Sequence, residues 1–336
     1  MLTQGAAILP RGIPMMQRHA ATLLLLLAVA CGSTRPSADI IETLAADAAG
    51  ELSADEIARA DTQPAPASNL RVMTFNVLCF FCNDIEYDPW EDRLVYFGDL
   101  FARHQPDLIG LQELLFEDEV KQIIEEAPGY SALFFEDDVQ ELFKDYADAT
   151  ILYRTDRFEV VDNGFYWLSE TPDTPLAGGW ADTNLPRLVA WAHLRQSADG
   201  REFYFATTHF DNNPPNQEMS APLLVERTAT WSAQMPVIVV GDFNSKPASP
   251  AYATLVTPAD SAHLTLQNTF DLANDWHIET NVEPPQAYDP AHRIDHIFVA
   301  GDAPWEVSDW VVDMRVYGPD DRYPSDHFAI VAELRF

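Results

Sequence analysis

The sequence predicts an α/β (α+β) domain in which strands outnumber helices. Runs of branched apolar residues without polar alternation indicate strands buried on both faces, and Val237-Ile-Val-Val240 is the clearest of them. Apolar residues at helical spacing predict a helix over Glu91–His104, which ends before Pro106. An Asp-Gly turn at Asp199-Gly200 joins two further strands as a hairpin. Hairpins are therefore mixed with βαβ-like units.

The remaining elements follow from the same patterns. Further strands are predicted at Arg71–Leu78, Asp107–Glu113, Ala149–Tyr153, Arg157–Val161, Leu188–Arg195, Glu202–Thr208, Arg293–Val299, Val307–Val312 and Phe328–Phe336. Two more helices are predicted at Glu117–Ala127 and Gln217–Ala233. Between them, Phe165–Pro186 is predicted to be a loop, and its length is typical of functional segments.

Length and charge narrow the class of protein. The chain has 336 residues, 47% of them hydrophobic, so it can form one large domain or two small ones with a substantial core. Its formal net charge is -33 at pH 7, and it contains only three lysines. An acidic surface of this kind needs a bound cation to bring a phosphate near it. The charge therefore favours small substrates slightly over nucleic acids.

Residues 1–31 have the pattern of a bacterial export signal. Arg11 and Arg18 precede an apolar run at Ala20–Ala30, which is followed by small residues at a cleavage point. The run is shorter than the roughly twenty apolar residues needed to span a bilayer. Ala28-Val-Ala-Cys31 is similar to a lipobox and predicts a lipid on Cys31, with ordinary signal-peptide cleavage as the alternative. We expect an exported protein, either lipid-anchored to a bacterial membrane facing the periplasm or the outside, or secreted.

The segment after this signal, residues 32–69, is acidic and contains many Ala and Pro residues, which is typical of a flexible tether. The folded domain is therefore expected over residues 70–336. Assigning Cys31 to a lipid leaves Cys79 and Cys82 as a pair. An oxidising compartment would allow a disulfide between them, and two reduced, partly buried thiols are the alternative.

Six predicted strands end in, or carry, polar residues of the kinds that bind phosphate and metal ions. These residues are Asn76, Glu113, His209 with Asp211 and Asn212, Asp242 with Asn244, Asp295 with His296, and Asp326 with His327. Each of them alone has a structural explanation, such as an Asx turn, a helix cap or an ion pair. Their recurrence at comparable strand positions predicts a site at one edge of a packed pair of sheets.

Taken in order, these motifs resemble the endonuclease/exonuclease/phosphatase superfamily over about residues 70–336. The motifs are Thr-Phe-Asn76, Gly-Leu-Gln-Glu113, Thr-Thr-His209-Phe-Asp-Asn, Gly-Asp242-Phe-Asn244, Arg-Ile-Asp295-His-Ile and Ser-Asp326-His327. The resemblance implies a four-layered sandwich of two packed mixed β-sheets flanked by helices. It also implies hydrolysis of a phosphate ester with Mg²⁺ as the cofactor, or Mn²⁺ as the alternative.

The resemblance assigns a first group of residues to the metal and the attacking water. Glu113 is similar to the main Mg²⁺ ligand of the family, and Asp326 would be a further metal ligand or support. Asn76 would support the metal shell or a phosphate oxygen. Asp242 would accept the proton of the attacking water, and Asn244 would orient that water.

A second group would act on the phosphate. His327 would contact the scissile phosphate, and Asp295 would fix its tautomer and raise its pKa. His209 would bind phosphate or protonate the leaving group, and Asn212 would contact a phosphate oxygen. Arg187, beside the long loop, would hold a second phosphate group, with an ordinary surface ion pair as the alternative.

Three functions stay open at this point. The complete motif set favours an exported, metal-dependent phosphoesterase acting on a small molecule or a lipid head group. An extracellular nuclease of the same fold is one alternative, and a non-catalytic phosphate- or lipid-binding surface lipoprotein is the other. The latter predicts degraded catalytic motifs, and none of the six is degraded. We expect a monomer attached to the membrane through its N-terminal lipid.

Overall fold

The structure of this chain, a computed structural model, describes residues 69–82, 86–136, 145–181, 183, 185–257 and 265–336. The predicted export signal, lipidation site and nearly all of the predicted tether lie outside these residues. Within the described ranges, no helix is both long enough and apolar enough to cross a membrane.

Two mixed sheets form the centre of the domain. In the described part of the chain the strands are β1 (Leu70–Asn76), β2 (Leu108–Gln112), β3 (Tyr130–Leu133), β4 (Ala149–Arg154), β5 (Phe158–Trp167), β6 (Leu188–Gln196), β7 (Glu202–His209), β8 (Val237–Asp242), β9 (Gln267–Asn268), β10 (His277–Glu279), β11 (Asp295–Ala300), β12 (Glu306–Asp313) and β13 (Ala329–Arg335). The first sheet has seven strands in the order β10-β12-β13-β1-β2-β4-β3, and the second has six in the order β5-β6-β7-β8-β11-β9. Each sheet contains both parallel and antiparallel pairs.

Helices cover the outer face of each sheet. They are α1 (Trp90–His104), α2 (Glu117–Glu126), α3 (Asn216–Ser232) and α4 (Pro250–Val256). A short helix, α5 (Thr269–Leu272), packs Phe270 and Leu272 against the core between the sheets, and a 3₁₀ turn follows at Pro290–His292. Side chains of α1 and α2, such as Phe97 and Ile123, pack on the first sheet, whereas Leu224 of α3 and Leu255 of α4 pack on the second. The order of layers is therefore helices, sheet, sheet, helices.

Burial on both faces explains why the strands carry no polar alternation. In β1, Val72 points into the core between the sheets, and the next residue, Met73, points into the core under α1. In β8, Val240 likewise points into the core between the sheets, and Val239 points into the core under α3. Since neighbouring strand residues face opposite sides, both sides must be apolar. The predicted four-layered sandwich of two packed mixed sheets is confirmed.

The two sheets approach most closely near the strand ends that carry the polar motifs. A Cβ atom on Gly110 of β2 would lie 2.3 Å from Val240 Cγ2, so only glycine fits between the sheets there. Two residues further on, Gln112 Nε2 donates to Thr207 Oγ1 of the other sheet at 3.0 Å. These contacts fix the ends of β2 and β7 relative to each other.

The structure also differs from the sequence-based prediction in places. Strand β5 continues to Trp167, so the long loop begins at Leu168 rather than Phe165. A register shift against β6 between Val160 and Asp162 interrupts its pattern, which is why its second half is difficult to recognise from sequence. Five short elements were not predicted: β3, α4, β9, α5 and β10. Short elements depend more on their packing partners than on their own residues.

Candidate active site

Strand pairing brings five of the six polar motifs to one edge of the sheets. Adjacent parallel strands place Asn76 of β1 beside Gln112 of β2, directly before Glu113. In the other sheet, His209 at the end of β7 is paired with Asp242 at the end of β8. Strand β11 runs antiparallel to β8, so its first residue, Asp295, is also opposite Asp242. The predicted convergence of these strand ends is present in the structure.

The Asp242 carboxylate lies at the centre of this cluster. Its Oδ2 atom is 3.2 Å from Asn76 Nδ2, 3.4 Å from His209 Nε2 and 3.7 Å from His327 Nε2. Its Oδ1 atom accepts a hydrogen bond from the Asn244 backbone N–H at 2.8 Å, which closes an Asx turn. The Asx turn predicted as the structural interpretation of this motif is present on Oδ1, and Oδ2 faces the polar cluster.

Unusual backbone conformations position the two polar residues that follow strand ends. Glu113 has a φ of 69° and Asn244 a φ of 47°, both in the left-handed region that non-glycine residues seldom adopt. Gly241, before Asp242, has a φ of 152°, and a Cβ atom there would lie 2.1 Å from the Thr208 carbonyl oxygen. The glycine of the Gly-Asp-Phe-Asn motif is thus required by the close approach of β7.

Two donors hold the Glu113 carboxylate. Asn76 Nδ2 donates to Oε1 at 2.9 Å, and the Cys79 backbone N–H donates to Oε2 at 2.9 Å. Asn76 Oδ1 in turn accepts from the Leu78 N–H at 3.0 Å, so its amide is fixed at both ends. Cys79 forms a disulfide with Cys82, which closes the loop that supplies the Glu113 contact.

A carboxylate–imidazole pair lies on the other side of Asp242. His327 Nδ1 is 2.9 Å from Asp295 Oδ2. Burial alone would lower the pKa of His327, but Asp295, followed by Asp242 and Asp326, outweighs burial and raises this pKa to about 10. The imidazole is therefore protonated at neutral pH. Asp326, the residue before it, is exposed at the mouth of the site.

Asp148 is a member of the site that the sequence analysis did not find. This buried residue precedes β4, and its Oδ1 atom lies 2.9 Å from His209 Nδ1 while Oδ2 accepts from Arg187 Nη1 at 2.6 Å. Burial would raise the pKa of Asp148, but the charges of Arg187 and His209 outweigh it and hold this pKa well below its usual range. Its only sequence signal is an acidic residue directly before a buried strand.

Arg187 and Asn212 differ in their relation to the central cluster. Arg187 is joined to the cluster by its hydrogen bond to Asp148, and its Nη1 atom is 2.7 Å from His209 Nδ1. Asn212 is exposed in the loop after β7, and no contact between described residues joins its side chain to the cluster. Asn244 Nδ2 donates to the Phe210 carbonyl oxygen at 2.8 Å, which ties the two loops together.

The residues of the site fit a hard divalent cation. Glu113 and Asp326 offer partly exposed or exposed carboxylates, and Asp242 and Asp295 bring carboxylate oxygens within 4.8 Å of each other and of a His327 ring nitrogen. Asp295 Oδ1 is buried and accepts no hydrogen bond within the described part of the chain. Oxygen donors in this number suit Mg²⁺ or Mn²⁺, and a cation would relieve the repulsion between them.

A cleft of about 300 Å³ opens beside this cluster. Its inner wall is formed by Asp295, Asp326 and His327, and its outer wall includes Tyr288 and Phe328. A group bound in this cleft would contact the His327 imidazole directly.

Comparison with known sequences assigns the chain to a family. The sequence model of the Endonuclease/Exonuclease/phosphatase family matches residues 73–327. The chain belongs to this family. It is therefore a hydrolase acting on phosphate ester bonds, the reaction class that its members share.

Related proteins and structures span most of the domain. Nocturnin of Drosophila melanogaster is 24% identical over 84% of this chain and 49% of its own length, so this chain spans about half of that relative. Nocturnin of Xenopus laevis is 25% identical over 83% of this chain and 75% of its own length. A family protein of Bacteroides thetaiotaomicron is 30% identical, with a TM-score of 0.67, over 81% of this chain and 99% of that one. The solved structure of a mannosyl-6-phosphatase of the same organism is 29% identical, with a TM-score of 0.66, over 80% of this chain and 100% of that one.

Proposed function

We propose that this chain is an exported, divalent-metal-dependent phosphoesterase that hydrolyses the phosphate ester of a small molecule or a lipid head group. The observation that carries the proposal is the convergence on one buried carboxylate, Asp242, of an amide and two imidazoles within 3.2 to 3.7 Å. A carboxylate in this setting is a suitable acceptor for the proton of an attacking water.

The other residues have complementary roles in this reaction. Protonated His327, held by Asp295, donates a hydrogen bond to the negative charge that develops on the phosphate. His209, held by Asp148, lies on the opposite side of Asp242 and binds phosphate or protonates the leaving group. A bound divalent cation would act as a Lewis acid and offset the carboxylate charges. Glu113 would hold this cation, with Asp326 as a second ligand or support.

Three observations favour a small substrate over nucleic acid. The chain carries a net charge of -33, and basic residues that could follow a polynucleotide backbone are scarce. One of the similar solved structures is a mannosyl-6-phosphatase, which acts on a small phosphate ester. The cleft beside His327 has a volume of about 300 Å³, at the lower end of the range for small-molecule sites.

The test is an activity screen of the full chain after removal of metals with EDTA and re-addition of Mg²⁺ or Mn²⁺. The screen compares the rates of hydrolysis of hexose phosphates, inositol phosphates, phospholipid head groups, RNA and plasmid DNA. We expect metal-dependent hydrolysis of a small ester, and a loss of about 10²- to 10⁴-fold in Asp242→Ala or His327→Ala. Asp156→Asn, an exposed carboxylate, is the matched control. Undiminished activity in EDTA would refute the metal dependence, and fastest cleavage of plasmid DNA would assign a nuclease instead.

Export and lipid attachment need a separate experiment. The lipobox-like Ala28-Val-Ala-Cys31 supports a lipid on Cys31. We expect the wild-type chain in the membrane fraction and Cys31→Ala in the soluble exported fraction. Wild-type protein that never fractionates with membranes contradicts the lipid anchor.

A further inference from the structure

A fully buried arginine lies directly beneath the metal-binding side of the site. Arg93, in the first turn of α1, has no exposed surface. Its guanidinium stacks near the rings of Trp90 and Phe97, at 5.3 and 5.9 Å from their centroids. It makes five hydrogen bonds, and all of the acceptors are backbone carbonyl oxygens, those of Val77, Leu78, Cys79, Asp88 and Pro324.

This cation is compensated by carbonyl dipoles rather than by a carboxylate. Three carboxylates act on Arg93 at longer range, those of Asp326, Glu113 and Asp88, but none of the ion pairs among the described residues includes it. Burying a charge without a paired counter-ion is costly. The guanidinium supplies donors to five carbonyl oxygens that an apolar side chain would leave without them, and these carbonyls belong to segments of the site, so the position of this charge points to a role there.

The acceptors of Arg93 belong to two chain segments that carry the site. In the first, residues 77–79, the chain turns through Leu78 with a φ of 58°, and the turn aims the Cys79 N–H at Glu113 Oε2. Arg93 donates hydrogen bonds to three consecutive carbonyl oxygens of this turn, at 2.5, 3.0 and 2.9 Å. These hydrogen bonds constrain the conformation of the turn.

The second segment lies far along the chain. Arg93 Nη1 donates to the Pro324 carbonyl oxygen at 3.3 Å. The next residue, Ser325, donates from its hydroxyl to the Asn76 carbonyl oxygen at 2.7 Å and receives the His327 N–H at 3.1 Å. Asp326 lies between Ser325 and His327 in the chain. One guanidinium therefore ties the support of Glu113 to the segment that carries Asp326.

We propose that Arg93 is a positioning residue for the divalent-cation site, because it holds the turn that supports Glu113 and the segment that carries Asp326 in a fixed relation to each other. The inference rests on the proposed metal dependence. A lysine cannot replace the arginine in this role, because an ammonium has three donors and no planar fork to reach carbonyls of both segments. Groups that orient metal ligands from behind change metal affinity by about 10- to 100-fold when they are mutated.

The experiment measures metal binding without substrate. The full chain, stripped with EDTA, is titrated with Mg²⁺ and with Mn²⁺, and the rise in melting temperature gives the half-saturating concentration. We expect Arg93→Lys, which keeps the charge, and Arg93→Gln, which keeps several donors, to raise this concentration about tenfold or more. The metal dependence of hydrolysis should shift by the same factor, with a smaller change in kcat at saturating metal.

The control separates positioning from stability. Leu100→Ala weakens the packing of the same helix but removes neither a hydrogen bond nor a ring contact of Arg93, so its melting temperature falls while its half-saturating concentration stays at the wild-type value. Ser325→Ala keeps Arg93 and removes the two hydrogen bonds of the hydroxyl, to the Asn76 carbonyl oxygen and from the His327 N–H, and it should raise the half-saturating concentration even if the Arg93 variants do not fold.

The possible results are distinct. A wild-type half-saturating concentration in folded Arg93 variants, or in Ser325→Ala if those variants do not fold, overturns the inference. A wild-type chain that responds to no divalent cation overturns the proposed metal dependence instead.

Discussion

Replacing Asp148 by asparagine should both destabilise the fold and disable His209. The carboxylate is 1% exposed as a side chain, and it faces Arg187, which is 13% exposed, and His209, which is 4% exposed. Removing one partner from a buried ion pair costs about 3–5 kcal/mol, because the remaining charge is left without compensation. Asparagine still offers one acceptor to Arg187, so we expect the lower end of this range.

A second structural consequence sharpens the expectation. Asp148 Oδ1 also lies 3.2 Å from the Glu113 backbone N–H, so it supports the residue proposed to bind the cation. Asp148→Asn should therefore lose activity at metal concentrations that saturate the wild-type enzyme. The double variant Asp148→Asn/Arg187→Met should be less destabilised than the sum of the two single variants, by about 1–3 kcal/mol, because it leaves no unpaired charge.

The assay is urea unfolding at pH 7, followed by fluorescence and circular dichroism, with the slope of the transition checked for constancy. Asp156→Asn is the matched control, because Asp156 pairs with Arg154 at 2.9 Å on the exposed surface, where ion pairs contribute little. If Asp148→Asn unfolds at the same urea concentration as this control, the interpretation of Asp148 as a buried structural anion is wrong.

Two further predictions concern stability. Gly241→Ala places a Cβ atom 2.1 Å from the Thr208 carbonyl oxygen and should cost about 3 kcal/mol or more in urea unfolding. Gly200→Ala, with a φ of 75° and no atom within 4 Å of the new Cβ, should cost only about 1–2 kcal/mol, and equal losses would contradict the steric argument. Burial lowers the pKa of His296 to about 3, below its unfolded value, so stability is complete above about pH 6.5 and falls as the pH drops toward 3. The free energy of unfolding should differ between pH 7 and pH 5, and His296→Gln should remove about 2 kcal/mol of this difference. The variant His277→Gln, at an exposed site, should leave the difference unchanged.

The site motifs could be predicted because they are local. A strand buried on both faces has no polar side chains within it, so a carboxylate at its end, such as Asp242 or Glu113, stands out against the preceding apolar run. Parallel pairing places the end of β1 beside that of β2 and the end of β7 beside that of β8, and the packing of the two sheets brings these two pairs together. The Asp295–His327 contact at 2.9 Å agrees with the pairing that the resemblance implied for these two residues.

Other members of the site had no such signal. Asp148 is one acidic residue among many, and it becomes distinctive only because the fold brings Arg187 and His209 to it from other parts of the chain. Arg93 looks like an ordinary charged position near the start of an amphipathic helix, where an exposed arginine is the normal expectation. Its burial is compensated in part by the Pro324 carbonyl oxygen, an acceptor 231 residues away along the chain.

The resemblance of the ordered motifs to a known family implied the class of this protein and the layers of its sandwich. The sequence by itself determined the strand ends that carry Asn76, Glu113, His209, Asp242 and Asp295. It did so because burial pattern and residue type are properties of short segments. Tertiary structure alone decided how the site is held: the Asp148 anion behind His209, the glycine that lets β7 approach Asp242, and the buried guanidinium of Arg93. These features are contacts between distant segments, and no single segment contains the information that specifies them.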